Sequence, residues 1–188
     1  VYGVSPRLRV DLVVNNLVGW AVTTGQICLS SDGTPWRPVV HVEDVAQAFA
    51  AALVAPRELV HGQAFNVGVE QDNLQVRELA QIVARAVPGC AVRQAAGSGP
   101  DRRSYRVDFS KLTRTLPGFR PAWNVARGAE QLRDAYRANH LSAADFLGRR
   151  YTRLQQIQHL RSGGLLDERL YWVDPAKYDR RRIGCTAA

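Results

Sequence analysis

The stretch from Ser31 to Phe49 combines residue types that can hold an anion. Asp32-Gly33 followed by Pro35 is typical of a tight turn, because glycine permits positive φ and proline fixes its own φ. Arg37 follows the turn, and a guanidinium at the junction of a loop and a strand is suited to binding phosphate. Residues 39–42 predict a short strand that leads into a helix. The alternative is a surface arginine beside an ordinary strand–helix unit.

Apolar periodicity divides the chain into helices and short strands that would position this arginine. Asp11 is predicted to cap the first helix and Gly25 to end it. The predicted helices cover residues 11–24, 43–55, 74–87, 128–138, 141–150 and 153–160. The predicted strands cover residues 1–3, 26–30, 39–42, 64–68 and 90–93.

Length and composition indicate a globular protein. The 188 residues are 46% hydrophobic and 22% charged, which suffices for one domain with a core. No run of 18 apolar residues exists, so we expect no membrane span. The three cysteines lie far apart and fit no zinc motif, so we expect no metal site and a reducing, cytoplasmic location.

The turn, Arg37 and the following His41-Val42-Glu43-Asp44 resemble a segment of the extended short-chain dehydrogenases/reductases, the NAD-dependent nucleotide-sugar epimerases and dehydratases. That segment reads Asp-Gly-x-x-x-Arg-Asp-Tyr-Ile/Val-His-Val-x-Asp-x-Ala, and Pro38-Val39 departs from its Asp-Tyr. The resemblance implies an α/β fold: the last strands of a Rossmann-type sheet with a small mixed substrate-binding domain. It also implies that Arg37 grips the diphosphate of a nucleotide-diphosphate sugar.

Two further segments of the first 20 residues resemble the same family. Val1-Tyr2-Gly3-Val4 is similar to the Asn-Val-Tyr-Gly-Pro that closes the sixth sheet strand, which implies a place for Tyr2 beside the cofactor. Asn15-Asn16-Leu17 is similar to the Asn-Asn-Leu of UDP-galactose epimerases. That likeness implies contacts from Asn16 and Leu17 to the diphosphate and nucleoside. The alternative for the asparagines is a solvent-facing pair on a helix.

Residues 97–108 resemble the second substrate loop of the family. Asp101 and Asp108 keep the spacing of its two aspartates, and residues 109–116 resemble the short helix that follows. The first arginine of the loop is missing, because Ser98 stands near its place. Arg103 is our candidate replacement, while Arg102 and Arg106 remain alternatives. A solvated basic loop would explain the same residues.

Motifs for hydride transfer do not occur in these residues. No strand leads through Gly-x-Gly-x-x-Gly into a helix, and Tyr-x-x-x-Lys is absent, so we assign no catalytic residue. We therefore expect the C-terminal part of a longer enzyme, inactive and without bound cofactor when alone. NAD or NADP would belong to the full-length parent, which we expect to be a homodimer. Similar chain endings in surface-polysaccharide clusters suggest a role in polysaccharide biosynthesis.

Charge separates the two ends of the chain. Residues 1–100 hold 7 basic and 8 acidic side chains, whereas residues 101–188 hold 18 and 9. The resemblance covers residues 1–140, the predicted substrate-binding half, and residues 141–188 form a helical, basic tail. The alternative function is a non-catalytic basic module for nucleic acid or an acidic partner. Aromatic residues are not interleaved with the tail arginines, which makes nucleic acid the less favoured partner.

Overall fold

Helices and short strands alternate along the chain. A computed structural model describes residues 1–95, 99, 103–116 and 118–174. The helices are α1 (Val13–Thr24), α2 (Val42–Val54), α3 (Arg57–Val60), α4 (Val76–Ala86), α5 (Ser110–Thr115), α6 (Val125–Ala138), α7 (Ala143–Leu147) and α8 (Arg153–Ser162). The strands are β1 (Gln26–Leu29), β2 (Trp36–Pro38), β3 (Asn73–Gln75) and β4 (Ala91–Gln94). This arrangement confirms the predicted α/β class.

The strands form two small sheets. β1 and β4 are parallel, with Gln26 opposite Ala91, and β2 and β3 are antiparallel, with Arg37 opposite Leu74. A third, parallel contact joins the start of the chain to the entry of α2. There the amide of Tyr2 donates to the carbonyl of Val40 at 2.9 Å. Because Arg37 lies on β2, the antiparallel pair is the element that positions it.

The main core lies between α1, α4 and α6, against which β1 packs. It is built from side chains that recur every three or four residues on each helix, as an amphipathic helix requires. The fully buried members on the three helices are Val14, Val18, Leu79, Ala80, Val83, Ala129 and Leu132. A smaller cluster beneath α2 contains Ala48, Leu112, Leu116 and Phe119.

The start of α1 differs from the prediction, although its end does not. Leu12 occupies the N-cap position and makes no side-chain cap. The Asp11 carboxylate instead pairs with Arg9, at 2.7 Å between Oδ2 and Nη2. The Arg9 guanidinium, two residues away, supplies charged donors to the Asp11 carboxylate, which therefore accepts from Arg9 instead of from the first backbone amides of α1. Gly25 ends α1 in the left-handed region at φ +69°, as predicted.

Three predicted strands do not form, and the first of them, residues 1–3, makes only an isolated bridge between Tyr2 and His41. Residues 39–42 form no strand, because His41 caps α2: its Nδ1 accepts from the amide of Glu43 at 3.2 Å. Residues 64–68 are irregular, and Phe65 and Val67 pack against the smaller cluster. No strand in the described part of the chain pairs with residues 64–68, and an isolated strand has no partner for its backbone groups.

The described part of the tail is helical and rests partly on α1. Phe146 of α7 packs edge-on against Trp20, with ring centroids 5.4 Å apart. A Cβ at Gly19 would overlap the Phe146 ring, so the small residue permits this contact. α8 has no buried residue. Within the described residues, no helix has the length and apolar character that crossing a membrane requires.

α2 exposes an apolar stripe at helical spacing. Phe49 and Leu53 are 68% and 86% exposed, and Ala46 and Ala50 are exposed beside them. Replacing both Phe49 and Leu53 with serine should lower the fluorescence of bound ANS and slow aggregation, because the stripe supplies apolar surface to solvent. The free energy of unfolding should change by less than about 1 kcal/mol per site.

The matched control for this double variant is Leu132→Ala in the main core. Leu132 is 0% exposed, so its truncation should lower the free energy of unfolding in urea by about 2–5 kcal/mol. ANS fluorescence that is unchanged in the double variant would show that the dye binds elsewhere.

Asp72 has a buried carboxyl group whose pKa is affected by the carboxylate of Asp44. It is 6% exposed; burial first, and then the negative charge of Asp44, raise its pKa to about 6. Asp44 is 3% exposed and accepts from the amides of Ala122 and Trp123 at 2.9 and 3.2 Å. The fold therefore satisfies one carboxylate of the pair with backbone donors and favours the protonated form of the other.

Asp72→Asn should raise stability at pH 7. A folded-state pKa near 6 lies above the unfolded value, so the native state binds the proton more tightly. This group's contribution is then full below about pH 4 and is lost as pH rises through about 6. The asparagine variant should remove that decline and gain about 1–3 kcal/mol at pH 7 in urea unfolding. The exposed Glu130→Gln is the control, and an identical pH slope in wild type and Asp72→Asn would contradict the assignment.

Candidate functional site

The Arg37 guanidinium is held at the junction of two segments that the sequence predicts to bind substrate. Arg37 is half-buried on β2, and its Nη1 donates to the carbonyl of Trp36 at 2.9 Å. The same nitrogen donates to the carbonyl of Arg103. The arginine thus connects its own strand to the loop at residues 103–107.

Hydrogen bonds fasten that loop to the β2–β3 pair. The amide of Trp36 donates to Ser104 Oγ at 3.0 Å. Asn73 and Val107 make two bonds, from the Val107 amide to Asn73 Oδ1 at 2.9 Å and from Asn73 Nδ2 to the Val107 carbonyl at 3.0 Å. Asn73 is 5% exposed, so its amide serves this loop rather than solvent. The loop is therefore anchored at both ends beside Arg37.

Two other members of the predicted loop are also described. The Arg103 side chain is exposed, and the Arg106 guanidinium lies 4.8 Å from the centroid of the Trp36 ring. Asp108 is exposed, and hydrogen bonds from the side chain and backbone of Ser110 lower its pKa. Asp101, predicted to contact the substrate, lies outside the described residues, as does Arg102. The structure thus brings Arg37 and Arg103 together, and the ligand contacts of Asp101 stay a prediction.

The side chains of Asn15, Asn16 and Leu17 lie in three different environments. Asn16 is half-buried and its Nδ2 donates to the carbonyl of Val10 at 3.0 Å. Leu17 is 4% exposed and belongs to the main core. Asn15 is 2% exposed and lines a surface cleft. The contacts of Asn16 and Leu17 with a ligand stay a prediction, while the asparagine that reaches the cleft is their neighbour.

The cleft has a volume of about 300 Å³ and lies beside the loop that joins Gly3 to α1. Residues of that loop and its neighbours line it, among them Tyr2, Gly3, Ser5, Arg7, Arg9 and Asn15. Sequence reasoning did not identify the two arginines or Asn15, because residues 6–9 read only as a polar loop. The two arginines spaced two residues apart just before a helix were the available signal.

Tyr2, the predicted cofactor contact, lines the cleft with a side chain that is 2% exposed. Its ring meets the His41 ring edge-on at 5.3 Å, and a Cβ at Gly128 of α6 would overlap it. Burial first, and then the charge of Asp72, raise the pKa of Tyr2. Within the described residues the buried Tyr2 hydroxyl has no hydrogen-bond partner. A cofactor contact from Tyr2 stays a prediction.

His41 is a buried structural residue. Its Nε2 lies 2.9 Å from Gln131 Oε1, and because its Nδ1 accepts from Glu43, Nε2 carries the proton. The ring stacks on Trp123 at 3.8 Å. Burial is the main cause that lowers its pKa, so the imidazole is neutral near pH 7. With both nitrogens engaged and 1% exposure, this histidine holds elements together and does not face a ligand.

Among the described residues, no group of three or more His, Cys, Asp or Glu side chains is placed to share a metal ion. The polar side chains that line the cleft include the guanidinium groups of Arg7 and Arg9, the amide of Asn15 and the hydroxyl of Ser5. A guanidinium binds anions, and amides and hydroxyls form hydrogen bonds with sugar hydroxyls.

The first third of the chain matches a known family. Residues 1–68 match the sequence model of the NAD dependent epimerase/dehydratase family. This range contains the turn, Arg37 and the His-Val-Glu-Asp sequence that carry the resemblance.

Solved structures share the fold over most of the chain. UDP-glucuronic acid 4-epimerase from Bacillus cereus, solved with UDP-glucuronic acid and NAD, is 18% identical with a TM-score of 0.60, and the match covers 73% of this chain and 43% of that one. The dTDP-glucose 4,6-dehydratase DesIV from Streptomyces venezuelae, solved with NAD and TYD, is 23% identical with a TM-score of 0.55, covering 74% and 42%. The NAD dependent NDP-hexosamine 5,6-dehydratase TunA of tunicamycin biosynthesis is 18% identical with a TM-score of 0.58, covering 73% and 43%.

This chain therefore spans less than half the length of the solved structures that it matches. Residues 1–68 therefore match the family that the motifs resemble, and these solved structures share the fold of the chain over the part that they cover.

Proposed function

We propose that this chain is the substrate-binding portion of an NAD(P)-dependent sugar epimerase or dehydratase and that it binds a nucleotide-diphosphate sugar. The observation that carries the proposal is the contact from Arg37 Nη1 to the Arg103 carbonyl, which joins the two predicted substrate segments. The ligands of related folds support it, since the Bacillus cereus epimerase was solved with UDP-glucuronic acid and the Streptomyces venezuelae dehydratase with TYD.

Arg37 is the main anchor for the diphosphate in this proposal. A guanidinium presents several donors in a fixed plane, and two of them match the oxygens of one phosphate. The bonds from Nη1 to two carbonyls restrict the side chain before a ligand arrives, so less conformational entropy is lost on binding. Arg103, Asp101 and the Asn16 amide would complete the contacts to the diphosphate and nucleotide.

The residues of this chain do not fit the binding site for the pyrophosphate of a dinucleotide cofactor. That group requires a glycine-rich turn between a strand and a helix, and the sequence contains none in that context. The proposal therefore assigns only binding and positioning to this chain, and no hydride step. NAD or NADP, the catalytic groups and a homodimeric, cytoplasmic state are proposed for a full-length parent alone.

The proposal places binding in residues 1–140 and gives residues 141–188 a packing role. The described contact in support is Phe146 of α7 against Trp20 of α1. A binding energy supplied far from the reacting sugar carbons would serve to position them for chemistry elsewhere in the parent enzyme.

Arg37→Gln should weaken binding of UDP-glucose to the 188-residue chain by about 10- to 100-fold, the loss expected for a charge-assisted hydrogen bond. Isothermal titration calorimetry measures the affinity. Arg37→Lys should give an intermediate loss, because an ammonium keeps the charge without the planar fork.

Arg149→Gln is the matched control, because Arg149 is an exposed arginine of the tail. Circular dichroism should show that each variant keeps its helices. Equal weakening by Arg37→Gln and Arg149→Gln would point to a diffuse basic surface. Displacement of UDP-glucose by a short single-stranded oligonucleotide would favour the alternative function of a nucleic-acid-binding module.

A further inference from the structure

For its length, the tail exposes more large apolar side chains than the other described residues do. Six of the fourteen exposed ones belong to it, namely Leu147, Leu154, Leu165, Leu170, Tyr171 and Val173. Their exposed fractions run from 43% to 69%. α8, which lies between them along the chain, has no buried residue. The tail therefore presents an apolar surface that no described part of the chain covers.

The hairpin that follows α8 has one exposed apolar face. The Val173 amide donates to the Leu165 carbonyl at 3.1 Å, and Leu166 forms a bridge with Trp172. Successive side chains of a strand point to opposite faces. Leu165, Tyr171 and Val173 are exposed on one face, whereas Leu166 and Trp172 are half-buried on the other. The exposed side chains of the hairpin thus form one surface and are not scattered.

The α7–α8 corner, residues 147–154, adds positive charge to the tail surface. Its exposed members, in chain order, are Leu147, Arg149, Arg150, Arg153 and Leu154. Gln155 Nε2 donates to the Leu147 carbonyl at 3.4 Å, and Arg149 Nη1 donates to Gln156 Oε1 at 3.4 Å. These bonds hold the first turn of α8 against the end of α7. The leucines and the arginines of the corner therefore lie in one small region.

The carboxylates beside this corner are already paired with arginines. Asp145 accepts from Arg150 Nη1 at 3.3 Å. Asp11 is held by Arg9, whose hydrogen bond lowers the pKa of that carboxyl, and the charge of Arg153 adds to the effect. The tail as a whole holds 9 basic and 5 acidic side chains. Its charge is complementary to that of an anionic surface.

We propose that the tail docks on the surface of a membrane that contains anionic phospholipids. The three corner arginines bind headgroup phosphates, because a planar guanidinium matches two phosphate oxygens with parallel bonds. The exposed leucines of the corner, with Tyr171 and Val173 of the hairpin, enter the boundary between headgroups and acyl chains, where apolar and tyrosine side chains are favoured. This inference goes beyond the proposed function and uses none of the residues assigned to sugar binding.

A nucleic acid is the other anionic partner that a basic surface can take. Its phosphates would engage the three arginines but would leave the exposed leucines in water. Base stacking needs an exposed aromatic face, and Tyr151 of the corner is half-buried with the Arg150 guanidinium 5.5 Å from its ring centroid. A lipid surface uses the positive charge and the apolar side chains together. It is therefore the partner that this combination of residues fits.

The test is cosedimentation of the 188-residue chain with large unilamellar vesicles. Vesicles of equal parts phosphatidylcholine and phosphatidylserine should bind wild type, and vesicles of phosphatidylcholine alone should bind it at least about 10-fold more weakly. The triple variant Arg149→Gln/Arg150→Gln/Arg153→Gln should lower the partition onto the anionic vesicles by roughly 100-fold, at about 5-fold per arginine. Replacing both Leu147 and Leu154 with serine should lower it by about 10-fold.

Two control variants remove the same number of exposed side chains elsewhere. Arg57→Gln/Arg85→Gln/Arg93→Gln removes three arginines, and Phe49→Ser/Leu53→Ser removes two apolar side chains of α2. Both controls should bind the anionic vesicles as wild type does. Circular dichroism should show that every variant keeps its helices. Isothermal titration calorimetry should show unchanged UDP-glucose binding in the corner variants, because the corner lies outside the proposed sugar-binding residues.

Three results would overturn the inference. The first is failure of wild type to bind the anionic vesicles, or equal binding to the neutral ones. The second is an equal loss in the control variants, since binding would then not depend on the corner. The third is a leucine variant that binds the vesicles like wild type while wild type binds a DNA duplex more tightly than the vesicles, which would assign the arginines to nucleic acid. UDP-glucose binding is measured separately, so each of these results leaves the proposed function standing.

Discussion

The neutral, buried imidazole of His41 joins three parts of this structure. Its Nδ1 caps α2, its Nε2 bonds Gln131 of α6, and its ring meets Tyr2 at the start of the chain. A protonated ring could not accept from the α2 amide, so burial, which lowers the pKa of His41, also favours the form of the ring that caps the helix. Gly3 stands directly against this ring at φ +108°, and any side chain there would overlap it. The segment at residues 1–3 can take this path only because residue 3 is glycine.

The cleft and the region around Arg37, the two candidate binding regions, both adjoin the junction around His41. On one side, the amide of Gly3 donates a hydrogen bond to Asn15 Oδ1. Both residues line the cleft, as does Arg7 of the loop that follows Gly3. On the other side, the chain that enters His41 comes directly from β2 and Arg37, and the Val39 amide fastens it to the Asp72 carbonyl at 3.1 Å. The junction around His41 thus lies between the segment that lines the cleft and the strand that carries Arg37.

Three arginines of the chain make contacts with aromatic rings or backbone carbonyls of the fold. Arg127 lies over the Trp123 ring at 4.2 Å, and Arg133 donates to the Ala86 carbonyl at 2.7 Å. Trp36 likewise carries Arg106 on its ring. Aromatic faces that already hold a guanidinium are less available for stacking with nucleic-acid bases. These three arginines therefore contribute to contacts within the fold.

The sequence by itself predicted the three helices of the main core, the family resemblance of residues 1–68 and the helix end at Gly25, because periodicity and helix-end chemistry are local properties. Tertiary structure decided the rest. Asp11 pairs with Arg9 instead of capping α1. Residues 64–68 pack against apolar side chains, and no strand among the described residues pairs with them. The cleft was also beyond sequence reasoning. Asn15 reaches it, and the availability of a side chain depends on partners that are distant along the chain.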